Sequence, residues 1–78
     1  MIINNVTEPK KSLYVIGANI INTLNNSKHN SIEPIDLYNF YIGHINNISI
    51  TYFYLALDWL YIIELIDVND VGNIKLCN

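Results

Sequence analysis

The stretch Ser49–Ile66, SITYFYLALDWLYIIELI, constrains this chain more than any other part of it. It is almost wholly apolar, yet Asp58 stands in its middle and Glu64 near its end. A bilayer span needs about 20 predominantly apolar residues. Here the uninterrupted run Tyr52–Leu57 stops at Asp58, and a central aspartate costs about 2.5–3.5 kcal/mol on insertion scales. The stretch therefore reads as the third helix of a small domain, not as a membrane crossing.

On a helical wheel, Phe53, Ala56, Leu57 and Leu60 fall on one broad face. Tyr52, Leu55, Trp59, Ile62 and Ile66 fall largely on another, and Asp58 shares a narrow polar notch with Thr51. A helix in a miniature domain needs only one apolar face, whereas a helix apolar nearly all round is buried nearly all round. Two coverings fit the second face. Trp59 and Leu55 pack beneath the N-terminal arm or the hairpin, or another protein anchors on them, as tryptophan and tyrosine often allow. The predicted contact surface is Tyr52, Leu55, Asp58, Trp59 and Ile62, with Ile2, Ile3 and Val6 of the arm. Asp58 has three readings: a partner for an arginine on another chain, a holder of the arm through backbone N–H groups, or the solvated edge of the helix.

Length sharpens the question. The sequence has 78 residues, 51% of them hydrophobic and only 14% charged. A domain this small buries only about 60% of its unfolded surface, and a free-standing one usually carries about 25–35% charge on its surface. The chain is too hydrophobic for disorder, and a second subunit is the expected complement to its core. Net charge is −3, with Lys10, Lys11, Lys28 and Lys75 as its only Lys or Arg residues. Duplex binding needs several cations against phosphate, so direct reading of DNA is not expected, nor is attraction to an anionic membrane. Cys77 is the single cysteine and cannot form an internal disulfide. With no secretory signal at Met1-Ile2-Ile3, the expected setting is the cytoplasm.

Met1–Lys11 reads as an extended arm closed by Pro9. Ser12 is a candidate N-cap, after which Leu13, Ile16, Gly17, Ile20, Ile21 and Leu24 recur at helical spacing. Gly17 costs about 1 kcal/mol in a helix interior, and close approach by another backbone is its expected purpose. Ser31-Ile32 suits a very short strand. Glu33-Pro34 suits a second helix start, with Ile35, Tyr38, Ile42 and Ile45 on one face and Leu37 and Tyr41 on its flank. Ser49 or Thr51 caps the third helix. Leu65–Val68 and Ile74–Cys77 read as two strands joined by a turn at Asn69–Asn73. The expectation is an α+β, mainly α chain: one small winged-helix-like domain over residues 1–78, with three helices, a C-terminal β-hairpin and an N-terminal extended arm at 1–11.

Motifs for chemistry are scarce. His29, His44 and Cys77 lack metal-ligand spacing, and no nucleophile elbow or glycine-rich phosphate loop occurs. Glu33 and Asp36 suit the first turn of helix two, where carboxylates favour the helix dipole. No metal, cofactor or catalytic activity is expected.

Two segments together resemble a known family. They are SLYVIGANIINTL (Ser12, Leu13, Gly17 and Ala18) and FYLALDWLYIIELI (Phe53, Ala56, Leu57, Asp58, Leu60 and Tyr61), followed by a short hairpin. They resemble the small middle components of bacterial ABC-three component systems. The likeness covers nearly the whole chain. It departs where the family usually has glycine near the end of the last helix and this chain has Ile63-Glu64. It implies a subunit without its own activity, encoded between an SMC- or Rad50-like ABC ATPase and an effector, often a nuclease. It also implies a role in antiphage and antiplasmid defence of the Lamassu-like kind. Two rivals remain from the residues alone: a dimeric winged-helix transcription regulator, which would need basic residues on helix three or the wing, and a small antitoxin or inhibitor of a toxic enzyme.

Overall fold

In the computed structural model, which describes residues 12–28 and 31–77, each helix begins where its sequence offers a start signal. Helix α1 spans Leu13–Asn26, and the Ser12 hydroxyl accepts a hydrogen bond from the Tyr14 N–H at 3.1 Å. Helix α2 spans Pro34–His44, with proline in the first turn, where a missing N–H costs nothing. Helix α3 spans Ile50–Ile62, and Ser49, not Thr51, is its cap, accepting from the Tyr52 N–H at 3.2 Å. Each of the two serine caps satisfies one of the N–H groups that a helix start leaves without a partner.

Strands β1, Ile66–Val68, and β2, Ile74–Leu76, form an antiparallel hairpin with Asp67 opposite Lys75. Its turn is organised by Asn69, whose side-chain oxygen accepts from Val71 N–H at 3.1 Å and Asn73 N–H at 2.9 Å. Gly72 takes the left-handed conformation there, φ 86°, which glycine adopts without steric cost. Ahead of α2, Ile32 donates to the Ile74 carbonyl at 2.9 Å and accepts from the Ile74 N–H at 2.8 Å. The short strand expected at Ser31-Ile32 is thus a single bridge residue. The order is helix, bridge, helix, helix, hairpin, the α+β, mainly α arrangement of three helices and a C-terminal hairpin that was expected.

The core joins all three helices and the hairpin, with Leu37 and Tyr41 as the contribution of α2. Ile16, Ile20 and Leu24 from α1 meet Phe53, Ala56, Leu57 and Leu60 from α3, with Ile66 and Ile74 of the strands closing one end. Phe53 is fully buried, and the Tyr38 and Tyr41 rings meet it edge-on at 5.2 and 5.8 Å, a favoured geometry for aromatic pairs. The two phenols find partners: Tyr38 donates to the Ile48 carbonyl at 2.8 Å, and Tyr41 accepts from the Asn19 amide at 3.1 Å.

Four expectations are corrected. Leu37 and Tyr41 are the buried side chains of α2, while Ile35 is 46% exposed and Tyr38, Ile42 and Ile45 are half-buried. The α2 face is therefore rotated toward what was expected to be its flank. Ile66, placed both on the α3 wheel and in the strand Leu65–Val68, is buried in β1 as the strand reading had it, and not on a face of α3. Helix α3 ends at Ile62, four residues short of the apolar stretch. Gly17 admits a side chain, the Trp59 indole, and not another backbone.

The early end of α3 has a clear cause. Leu65 N–H donates to the Leu60 carbonyl at 2.9 Å and Glu64 N–H to Tyr61 at 3.0 Å, the paired bonds of a Schellman turn. Such a turn needs a left-handed residue, usually glycine, and here it is Glu64 at φ 64°. A left-handed non-glycine residue costs about 1–2 kcal/mol. Glu64→Gly is expected to stabilise the fold by about 1 kcal/mol, because the greater freedom of glycine in the unfolded chain offsets part of the relief. For a domain of this size that is a rise of about 4–8 °C in the melting midpoint by circular dichroism. An unchanged or lower midpoint would mean that the Glu64 side chain makes a contact outweighing the strain.

Candidate interaction surface

Helix α3 turns its core face inward as expected, and what it leaves outward is still apolar. Leu55 is 45% exposed and Ile62 is 74% exposed, with Tyr52 at the border of exposure. Asp58 stands between Leu55 and Ile62 on that side and is exposed. It is the only charged residue in α3. The expected cluster of Tyr52, Leu55, Asp58 and Ile62 is therefore gathered on one outer surface.

Trp59 is placed differently. Its indole is half-buried against α1, and a Cβ on Gly17 would lie 2.7 Å from the ring and 3.2 Å from the Leu60 side chain. Tyr14 stands alongside, with ring centroids 6.4 Å apart. The indole lines a shallow hollow with Gly17, Ala18, Ile21 and Leu65. Trp59 thus ties α3 to α1 and leaves part of its ring at the surface beside Tyr14. The arm residues Ile2, Ile3 and Val6 lie outside the described residues.

The outer surface extends past the expected cluster. Tyr54 and Tyr61 flank it, and Ile63, Leu65 and Val68 carry exposed apolar surface from the helix end onto β1. The sequence signal for the two tyrosines was their spacing of seven, which places both on the same side of the helix as each other. Exposed apolar residues that recur along one helix mark a contact site more often than ones scattered singly do. A separate hollow of about 830 Å³ lies between α1 and α2, lined in part by Ile32, Leu37, Phe40, Ile45, Asn22, Asn26 and Asn73.

Polar chemistry is dispersed. Glu33, Asp36, Asp58, Glu64, Asp67 and Asp70 are all exposed. His44 stacks on Phe40 at 4.3 Å, and its ring Nδ1 lies 3.1 Å from the Phe40 carbonyl. Among the described residues no group of three or more His, Cys, Asp or Glu side chains is placed to hold a metal ion, and no helix is long and apolar enough to cross a membrane. In a winged helix that reads DNA, the third helix carries basic and polar side chains to the groove. Here α3 has no lysine or arginine.

The class defined by these features is a small helical module whose distinctive surface is a greasy outer helix. The family is specific: the model of ABC-three component (ABC-3C) system Middle Component 6 matches residues 3–77, and the chain belongs to that family. No curated protein and no solved structure matches it. The family assignment agrees with the resemblance carried by the α1 and α3 motifs.

Proposed function

We propose that this middle component is a non-catalytic bridging or regulatory subunit. It links an SMC- or Rad50-like ABC ATPase to an effector such as a nuclease, in cytoplasmic antiphage and antiplasmid defence of the Lamassu-like type. DNA is reached only through the assembled complex. The observation that carries this reading is the outer surface of α3, where Leu55 and Ile62 are exposed side by side with tyrosines on a helix that holds one charge. Membership of a middle-component family supports it.

The test is reconstitution with the ATPase and effector encoded beside the chain. Because Trp59 also joins α3 to α1, the informative change is Leu55→Ala with Ile62→Ala, which leaves that contact alone. Interface anchors lose about 1–2 kcal/mol each on truncation, so the double change should weaken assembly by about 30-fold or more. The melting midpoint of the isolated chain should stay within a few degrees. Assembly at unaltered affinity would refute the surface assignment. Copurification with a single toxic enzyme instead of an ATPase would favour the inhibitor role, and tight duplex binding by the isolated chain in a salt-titrated gel shift would favour the transcription regulator.

A further inference from the structure

The outward side of α3 repeats every seven residues: Thr51 with Asp58, Leu55 with Ile62, and Tyr54 with Tyr61. Thr51, Leu55, Asp58 and Ile62 follow one another at steps of four, three and four, and all four are exposed. That spacing lines them as a seam along one side of the helix, where the side chains of a second helix can enter the gaps between them. An extended peptide recognises a sheet edge through unpaired backbone groups. The surface of a helix offers none along its length, because its backbone bonds are internal.

Charge narrows the occupant further. Asp58 lies inside the seam and forms no hydrogen bond or ion pair with a described residue. A carboxylate covered by an apolar partner without a cation is strongly unfavourable. A second copy paired through the same α3 face does not supply that cation. In a parallel pairing of two α3 seams Asp58 meets Asp58, and in an antiparallel pairing centred on the seam it meets Leu55. Helix α3 has no basic residue; Lys28 follows α1, and Lys75 stands on β2 opposite Asp67 in the hairpin register, so neither lies on the α3 face.

We infer that the occupant of this surface is an amphipathic α-helix of another subunit, with an apolar seam and a lysine or arginine positioned to meet Asp58. The inference rests on the bridging role proposed above and specifies its partner. In the test, a photo-crosslinking phenylalanine derivative replaces Leu55 or Ile62 in the full chain, expressed with the other components of its system. The cross-linked peptides are then sequenced.

The expected result is a set of cross-linked positions on another subunit separated by three, four or seven residues, with a lysine or arginine among them. Asp58→Lys should then weaken assembly by at least about tenfold, and changing that basic residue to aspartate should restore it. Cross-links at alternate residues or scattered over loops overturn the helix while the assembled complex leaves the bridging role standing. The same holds for an Asp58→Lys chain that assembles normally. Cross-links confined to a second copy, or to residues 1–11 of the same chain, also overturn the inference. Failure of the unsubstituted chain to assemble with the other components overturns the bridging role, and the inference with it.

Discussion

Phe53→Ala should leave the chain largely unfolded at room temperature. Phe53 is fully buried, and the rings of Tyr38 and Tyr41 lie edge-on to it. Truncating a buried phenylalanine costs about 3–5 kcal/mol, from lost transfer energy and from the cavity left behind. A domain of this size rarely holds more than about 3–5 kcal/mol in total, so the loss is comparable with the whole stability. Phe53→Leu, which keeps most of the volume, should cost only about 1–1.5 kcal/mol and preserve the fold. Urea unfolding followed by far-ultraviolet circular dichroism would compare the three chains. A Phe53→Ala chain with a cooperative transition near the parent midpoint would show that the aromatic group is not the centre of the core.

The aromatic group also explains which parts of this fold were legible in the sequence. Helix α1 was readable because polar Asn19, Asn22 and Thr23 separate its apolar positions, so the buried face has a definite phase. Helix α2 was not. Ile35, Leu37, Tyr38, Phe40, Tyr41 and Ile42 place apolar side chains around much of its circumference, and periodicity alone cannot choose among them. The choice is made at long range. Tyr41 meets the Asn19 amide from α1, while Tyr38 reaches the Ile48 carbonyl ten residues on, and neither pairing leaves a local mark. The end of α3 was hidden for a different reason. Its stop is a left-handed Glu64 inside an apolar run, where a glycine would have announced it.

The candidate surface was legible in the same uneven way. The exposed stripe of Leu55, Asp58 and Ile62 followed from having more apolar circumference than one core face needs. Tyr54 and Tyr61 belong to the same exposed region, but phenol rings are as common at core edges as at contacts, so their type did not place them. The double role of Trp59 depends on a pair of residues 42 positions apart, the indole and Gly17, and a single-chain reading of helix periodicity treats those two positions separately.

That pair makes the second large prediction. A Cβ at position 17 would fall 2.7 Å from the Trp59 ring and 3.2 Å from Leu60, which is itself buried. Two effects oppose each other when a larger residue enters. Helix propensity improves by about 1 kcal/mol on leaving glycine, while forcing atoms into a filled site costs about 1–3 kcal/mol and sometimes more. With alanine the two nearly balance. With leucine the branched side chain must displace the indole from α1, and Gly17→Leu should destabilise the fold by about 3 kcal/mol. The cause can be isolated by repeating the substitution on Trp59→Ala, where the ring is gone. There leucine at position 17 should cost far less, because its side chain can occupy the vacated hollow beside Ile21 and Leu65. Residues in direct contact show coupling of about 0.5–3 kcal/mol in such cycles, and the value here should lie at the upper end. Equal losses from Gly17→Leu in both backgrounds would mean that the indole is not what requires glycine, and that α1 and α3 are held together by Ile16, Ile20 and Leu60 without it.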